Sequence, residues 1–173
     1  PAFPIGDGRL AAGFAALADQ LRQQRRVVLD GYVGVLWDDL RDELDLVFRQ
    51  QGVTVHWCDV RTAHLPEADI DALVEPFLGG DDPIFGTRFT GSLADFFDAG
   101  ELAALEPASD ADLSIVYGCG AALAGWNDAL LVYVDMPKNE IQFRSRAGSI
   151  CNLGASEAGD PKTMYKRFYF VDW

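Results

Sequence analysis

Apolar positions along the chain follow two spacings that alternate with each other. Apolar residues three or four positions apart, beginning with Leu10, Phe14, Leu17 and Leu21, predict amphipathic helices. Short continuous apolar runs, such as "RRVVLDG" at residues 25–31, predict strands that are buried on both faces. The pattern therefore predicts strands and helices in alternation.

The same spacings place the remaining elements. Further helices are predicted around Leu40, Leu44, Val47 and Phe48; around Ile70, Leu73, Val74 and Phe77; around Phe96, Phe97, Leu102 and Leu105; and at "NEIQFRSRAG" (139–148). Further strands are predicted at "VTVHWCDV" (53–60), "DLSIVYG" (112–118), "ALLVYVDMP" (129–137) and "RFYFVDW" (167–173). Asp38 or Asp39 is predicted to cap the second helix, and Gly52 lies just past its end. The turn-rich run "LGGDDPIFGTRFTG" (78–91) predicts a long loop.

This alternation predicts the α/β fold class, as a three-layer α/β/α arrangement around a mainly parallel sheet. The absence of repeats, low-complexity segments and linkers predicts one domain over residues 1–173. Right-handed crossovers between parallel strands place all the strand C-termini at one edge of the sheet. Ligands of such folds bind at that edge.

Composition narrows the classes of function. A formal charge of −13 argues against a nucleic-acid partner, which needs a basic face. No apolar run approaches the roughly 18 residues of a membrane span. The three cysteines and the two histidines lack the spacing of a disulfide framework or a metal site, so we expect no metal and a reducing, cytoplasmic location. The start at Pro1 and the end within an aromatic run predict a piece of a longer protein.

The stretch "DGYVGVLWDDL" (30–40) has the outline of a phosphate-binding loop between a strand and a helix. Such a loop reads GxxxxGK[ST], and its lysine and hydroxyl hold the phosphates and Mg²⁺. Counting from Gly31, Trp37 stands at the lysine position and Asp38 at the hydroxyl position. A carboxylate at the positive end of a helix opposes phosphate binding. The sequence predicts a degenerate nucleotide-binding loop, whose residues are Gly31, Tyr32, Gly34, Trp37 and Asp38.

The order of segments resembles uridine kinase and related P-loop nucleoside kinases. In "WCDV" the resemblance places Asp59 as the base that activates an acceptor hydroxyl. "DDPIFGTRF" resembles the acceptor loop of that family, with Asp82, Phe85 and Arg88 as its site residues. "NEIQFRSR" resembles the lid helix, which implies that two lid arginines, Arg144 and Arg146, reach phosphates. Tyr117 stands where the Walker B strand of the family usually has a carboxylate.

A second resemblance involves five segments. "DGYVGVLWDDL", "DDPIFG", "IVYGCGAAL", "VYVDMPKNEIQFRSR" and "MYKRFYFVDW" together resemble the region before the cupin domain in a long type of class I mannose-6-phosphate isomerase. The resemblance implies an N-terminal domain whose partner is a cupin domain beyond Trp173. It also implies that the zinc ligands of the isomerase lie in that cupin domain.

Several residues carry two interpretations from the sequence alone. Asp59 is either a general base or the cap of the next turn. Asp82, with its neighbour Asp81, either binds Mg²⁺ or forms a turn, and the turn is favoured. Arg144 and Arg146 either contact an anion or form a solvated helix face, and the solvated face is favoured.

We therefore expect a kinase-like domain without phosphotransfer activity, which binds a ligand, regulates, or docks against the rest of an isomerase-type protein. A small phosphorylated ligand is compatible with this hypothesis. The alternative is an active kinase for a sugar or nucleoside, which uses ATP with Mg²⁺ and Asp59 as base. A third hypothesis is an interaction module that dimerises through its C-terminal strand.

Overall fold

A four-stranded, all-parallel sheet forms the centre of the molecule. The computed structural model describes residues 10–82 and 84–172. The strands are β1 (Arg26–Gly31), β2 (Val55–Asp59), β3 (Leu113–Tyr117) and β4 (Leu130–Val134), in the spatial order β2-β3-β1-β4. Every pair of neighbouring strands is parallel. The predicted fold class, with helices on both faces of a mainly parallel sheet, is confirmed.

Six α-helices accompany the sheet in the described part of the chain. They are α1 (Phe14–Leu21), α2 (Trp37–Gln50), α3 (Glu67–Val74), α4 (Ala99–Ala104), α5 (Lys138–Arg146) and α6 (Pro161–Phe170). Short 3₁₀ turns lie at Val60–Ala63, Glu75–Phe77, Leu93–Phe96 and Ala121–Ala124. None of the helices within the described residues has the length and apolar character needed to cross a bilayer.

The strands bury alternate residues in two separate cores, because successive side chains of a strand point to opposite faces. Val27 and Leu29 of β1 pack with Leu44 and Phe48 of α2 and with residues of α1. Val28, between them, packs on the opposite face with residues of α3 and α4. The central strands are therefore apolar throughout.

A third cluster lies above the C-terminal ends of the strands. Ile141 of α5 packs there with Met164 and Phe168 of α6. Partly buried Tyr32 and Val33, from the loop after β1, pack against this cluster. Helices α5 and α6 thus cover part of the edge at which ligands bind in parallel folds.

The predicted C-terminal strand over residues 167–173 is wrong. Residues up to Phe170 form α6, and Trp173 lies outside the described residues. Asp160 caps α6 by accepting hydrogen bonds from two backbone N–H groups of its first turn. Met164 and Phe168, four positions apart, face the third cluster, so the apolar period is helical.

Two other boundaries differ from the sequence predictions. The helix expected through Phe96 and Leu105 is interrupted, because the Asp98 carboxylate caps a new helix and Phe97 is extended. Neither predicted cap of α2 is its cap: the N-cap is Leu36, and the Asp38 carboxylate bonds to Arg61 instead.

Two other predictions are confirmed. Gly52, with φ of 69°, follows the end of α2, and residues 78–82 and 84–91 form no helix or strand.

Lys166 anchors the long loop to α6. Its side chain is buried, and Nζ donates hydrogen bonds to the carbonyl oxygens of Leu78 and Asp82. Replacing Lys166 with Met removes both bonds and leaves the carbonyls without their donor. We expect urea denaturation to show a loss of about 1–3 kcal/mol in the free energy of unfolding. Lys162→Met, at an exposed position of the same helix, is the control, and an equal loss there would contradict the anchoring role.

Candidate functional site

A groove of about 800 Å³ opens at the C-terminal edge of the sheet. One wall is the loop from β1 into α2, and the second comprises the 3₁₀ turn after β2 and the start of α3. The third wall is the segment between α5 and α6. The lining residues are Val33, Val35–Asp39, Arg61, His64, Leu65, Glu67, Cys119 and residues 149–156. The position agrees with the predicted binding edge.

Part of the backbone of the first wall is hydrogen-bonded within the protein. The N–H of Gly31 bonds to the carboxylate of Asp30 at 2.6 Å, and the N–H of Tyr32 bonds to the carbonyl of Val134 at 3.3 Å. The N–H of Val35 bonds to the carbonyl of Tyr32, and the N–H of Trp37 bonds to that of Val35. Four donors of a would-be phosphate loop therefore have internal acceptors.

The two glycines of this loop are required by close packing. A Cβ atom on Gly31 would lie 2.3 Å from the carbonyl oxygen of Val134. A Cβ atom on Gly34 would lie 2.9 Å from the sulfur of Met136 and 3.1 Å from Cγ1 of Ile141. Neither glycine has a positive φ, although anion-binding nests combine right-handed and left-handed backbone. Because these glycines have no side chain, residues of β4 and α5 can pack directly against the back of the loop.

Arg144 supports the same loop from outside. Its Nη1 donates to the carbonyl oxygen of Gly34 at 3.0 Å, and its Nε donates to Glu140 at 3.0 Å. Arg146 is exposed on the far end of α5. Neither arginine lines the groove. Arg144 is therefore placed to hold the backbone of the loop.

Arg61 links two of the predicted site residues, Asp38 and Asp59. Its Nε donates to both carboxylate oxygens of Asp59, at 2.9 and 3.0 Å, and its Nη2 donates to Asp59 at 2.6 Å. Its Nη1 donates to Asp38 at 3.1 Å, and its Nη2 bonds to the other oxygen of Asp38. The hydrogen bonds from Arg61 hold the pKa of Asp38 below its ordinary value, and the two carboxylates raise the pKa of Arg61. Asp38 and Asp59 thus meet through one cation.

Asp59 has further donors besides this guanidinium. The backbone N–H of Arg61 bonds to its Oδ1 at 2.9 Å, and the phenol of Tyr117 donates to its Oδ2 at 3.3 Å. Asp59 therefore caps the 3₁₀ turn that follows β2, which is one of the two predicted roles. The predicted role as a base would require this carboxylate to exchange one of its donors for a hydroxyl group.

Two rings that line the groove carry nitrogen atoms without protein partners. Trp37 is 6% exposed, and its Nε1 is buried without an acceptor in the described structure. His64 packs against the ring of Phe97, and its Nε2 is likewise buried without a partner. Burial lowers the pKa of His64, so this side chain is neutral near pH 7.

The predicted acceptor loop lies away from the groove. Asp82, Phe85 and Arg88 are exposed, and none of them lines the groove. The carboxylate of Asp82 accepts hydrogen bonds from the N–H groups of Ile84 and Phe85, at 2.8 and 2.7 Å. This geometry is that of a turn, the favoured interpretation of this aspartate.

The third wall, residues 149–156, was not predicted as part of the site. Leu153 is buried in a core, and its carbonyl oxygen accepts a hydrogen bond from Arg167 at 2.8 Å. Ser156 donates to Glu67 at 2.7 Å, which joins this wall to the start of α3. No motif marks the segment, and its only sequence signal is Gly154 and several small residues between two helices. The wall is firmly anchored on both sides.

A triphosphate with Mg²⁺ does not fit the first wall. Four of its N–H groups are bonded to acceptors of the protein, and Trp37 supplies no charge at the lysine position. Asp38 offers a carboxylate where a hydroxyl would meet the metal, and that carboxylate is already paired with Arg61.

Comparison with known sequences gives a family. Residues 13–173 match the model described as "Domain of unknown function (DUF8485)". The chain belongs to this family. No curated protein matches the sequence.

Comparison with solved structures shows the fold. The DUF8485 chain is similar to a crystal structure described as a "putative fructose transport system kinase" from Silicibacter sp. TM1040. The TM-score is 0.53 at 16% sequence identity, over 79% of this chain and 82% of the other. At this identity the likeness concerns the fold alone, and the domain has a P-loop kinase-like fold.

The polar network behind the third wall predicts a pH dependence of stability. Asp172 accepts a hydrogen bond from Asn152 at 2.7 Å, while its Oδ1 is buried without a partner in the described structure. Burial raises the pKa of Asp172 from 3.8 to about 6. The folded state therefore keeps a proton that the unfolded state releases between these pH values, and stability falls as the pH rises through this window.

Asp172→Asn removes this titration while it preserves the shape of the side chain. We expect the free energy of unfolding of the variant, relative to that of the wild type, to increase by about 2–3 kcal/mol from pH ~4 to pH ~7. Urea denaturation at both pH values measures this change. Asp110→Asn, at an exposed carboxylate, is the control for the loss of one negative charge. A difference that does not change with pH would refute the assignment to Asp172.

Proposed function

We propose that this domain does not transfer phosphate and that it serves as a binding module, for ligand binding, regulation or domain docking. The observation that supports the proposal is the hydrogen bonding of the loop after β1. Four of its N–H groups, those of Gly31, Tyr32, Val35 and Trp37, bond to acceptors within the protein and are not available to a polyphosphate. In a phosphate-binding loop the backbone N–H groups point at the ligand.

The groove supports the binding part of the proposal. Its volume lies within the range of small-molecule sites, and each of its walls is held by side chains from other elements. Arg144 fixes the first wall and Arg167 the third, while Glu67 joins the second wall to the third. A groove anchored in this way can receive a ligand without ordering a loop, which lowers the entropic cost of binding.

The alternative is an active small-molecule kinase with Asp59 as base. The similar crystal structure is described as that of a kinase, and Asp59 lies at the C-terminal end of β2, as the alternative requires. Against it, Asp59 already accepts hydrogen bonds from Arg61 and Tyr117. This alternative requires one of these donors to give way to a substrate hydroxyl.

The proposed context is the N-terminal part of a mannose-6-phosphate isomerase-type protein, with a cupin domain as partner. This link rests on the five resembling segments and stays a prediction, because neither the matching family nor the similar structure is described as an isomerase. Peptide mass mapping of the native protein would find a longer chain with zinc-binding cupin sequences. A native chain without them would remove the link.

Calorimetric titration and a coupled phosphate-release assay test the proposed function. We expect Mg·ATP to produce no saturable heat with the wild-type domain and no turnover with neutral hexoses or nucleosides. Asp59→Asn should then leave the background rate unchanged. Micromolar binding of Mg·ATP together with turnover that Asp59→Asn abolishes would establish the kinase alternative instead.

A further inference from the structure

The guanidinium of Arg61 presents two hydrogen-bonding edges that face different elements. Its Nε and Nη2 atoms donate to Asp59, at the end of β2. Its Nη1 and Nη2 atoms donate to the two carboxylate oxygens of Asp38, in the first turn of α2. Each edge of an arginine suits the two oxygens of a carboxylate or phosphate. Both edges of Arg61 are therefore occupied by groups of the protein.

The two carboxylates differ in what else they do. Asp59 also accepts from the backbone N–H of Arg61 and from Tyr117, and these bonds fix it at the end of its strand. Asp38 is exposed, and the described structure shows Arg61 as its hydrogen-bond partner. Asp59 is thus a positioning residue for the guanidinium, and Asp38 is its exchangeable ligand.

A second donor, left without an acceptor among the described residues, belongs to a residue that lines the same groove. Trp37 is next to Asp38 in sequence, lines the same groove, and is only 6% exposed, with an Nε1 atom that has no acceptor in the described structure. An indole N–H donates and never accepts. A ligand that pairs with this indole N–H must therefore supply a hydrogen-bond acceptor. A ligand of the Arg61 edge must supply acceptors as well.

We propose that Asp38 is the specificity-determining residue of the groove, because its carboxylate occupies an oxyanion site on Arg61 and so excludes phosphorylated ligands. The site would take a phosphate group, free or carried by a small molecule, once this carboxylate is removed. This inference rests on the proposed function, in which the natural domain does not bind nucleotide phosphates. It adds that the exclusion depends on one internal ion pair.

The other charged groups of the groove determine how strongly an anion is expected to bind to Arg61. Asp39 and Glu67 line it, and both oppose an incoming anion. His64 is neutral near pH 7 and contributes no positive charge, because burial lowers its pKa. Binding to the freed edge of Arg61 should therefore be weak and should decrease as salt is added.

The experiment titrates inorganic phosphate and, separately, glucose 6-phosphate into Asp38→Ala, Asp39→Ala and wild-type domains. Asp39 is the matched control, because it has the same charge, lies in the same helical turn and groove, and makes no hydrogen bond to Arg61 in the described structure. We expect Asp38→Ala to bind phosphate at least about tenfold more tightly than Asp39→Ala, since one freed bidentate edge is worth that much or more. The double variant Asp38→Ala/Arg61→Gln should lose the gain.

Two-dimensional ¹⁵N NMR of the Arg61 Nε–H group supplies a second readout. Its signal should shift on addition of phosphate to Asp38→Ala and stay in place in Asp39→Ala. Equal gains in the two single variants would show a general charge effect, and an unchanged Asp38→Ala would show that the freed edge does not bind; either result overturns the inference. If only glucose 6-phosphate binds, the inference stands and the groove also recognises the sugar. Turnover of Mg·ATP by the wild type would refute the proposed function without altering this comparison of variants.

Discussion

One guanidinium, that of Arg61, joins the two elements that form the mouth of the groove. It follows β2 directly and bonds to Asp59 at the end of that strand. It also bonds to Asp38 of α2, which follows β1. Since β3 lies between β1 and β2 in the sheet, this ion network spans a neighbouring strand. Tyr117 at the end of β3 donates to the Asp59 carboxylate, so two strand ends and the first turn of α2 share one polar network.

This network lies next to a loop that has the outline of a phosphate loop. A helix start and a glycine-rich turn are the parts of an anion site, but they become one only when the N–H groups point outward. Here the loop is held from behind by the carbonyl of Val134 and from the side by Arg144. Arg61, which belongs to another element, is already paired with Asp38 and Asp59.

Much of the fold could be predicted from the sequence, because the buried strands and the amphipathic helices have distinct apolar periods. The C-terminal run was misassigned for a physical reason. Four of its residues, 168–171, are apolar or aromatic in succession, so neither period can be read from them alone. Residues earlier in the chain favour the helix. Asp160 caps its first turn, Pro161 lies in that turn, and Met164 lies one turn before Phe168 on the buried face.

The site was partly predictable. Asp38 could be selected from its position in the phosphate-loop pattern, and Asp59 from the resemblance to P-loop nucleoside kinases. Arg61, which binds both, carries no motif, and its partner Asp38 lies 23 positions away in the sequence. The glycines of the loop could not be assigned to packing, since only the tertiary structure shows that Val134 and Met136 lie against them. The 149–156 wall joins the groove through contacts with α6 and α3, and nothing local in its sequence predicts this.

The shape of the groove and its charge are determined by different parts of the chain. Arg167 of α6 is buried, and it fixes the third wall through a backbone carbonyl, so the shape depends on C-terminal packing. The charge depends on exposed carboxylates in the first turn of α2 and at the start of α3, which make few contacts with the cores. Substitutions of buried residues alter stability far more than those of exposed ones. The charge of this groove can therefore change by substitution at Asp38 or Asp39 while the fold that forms it is retained.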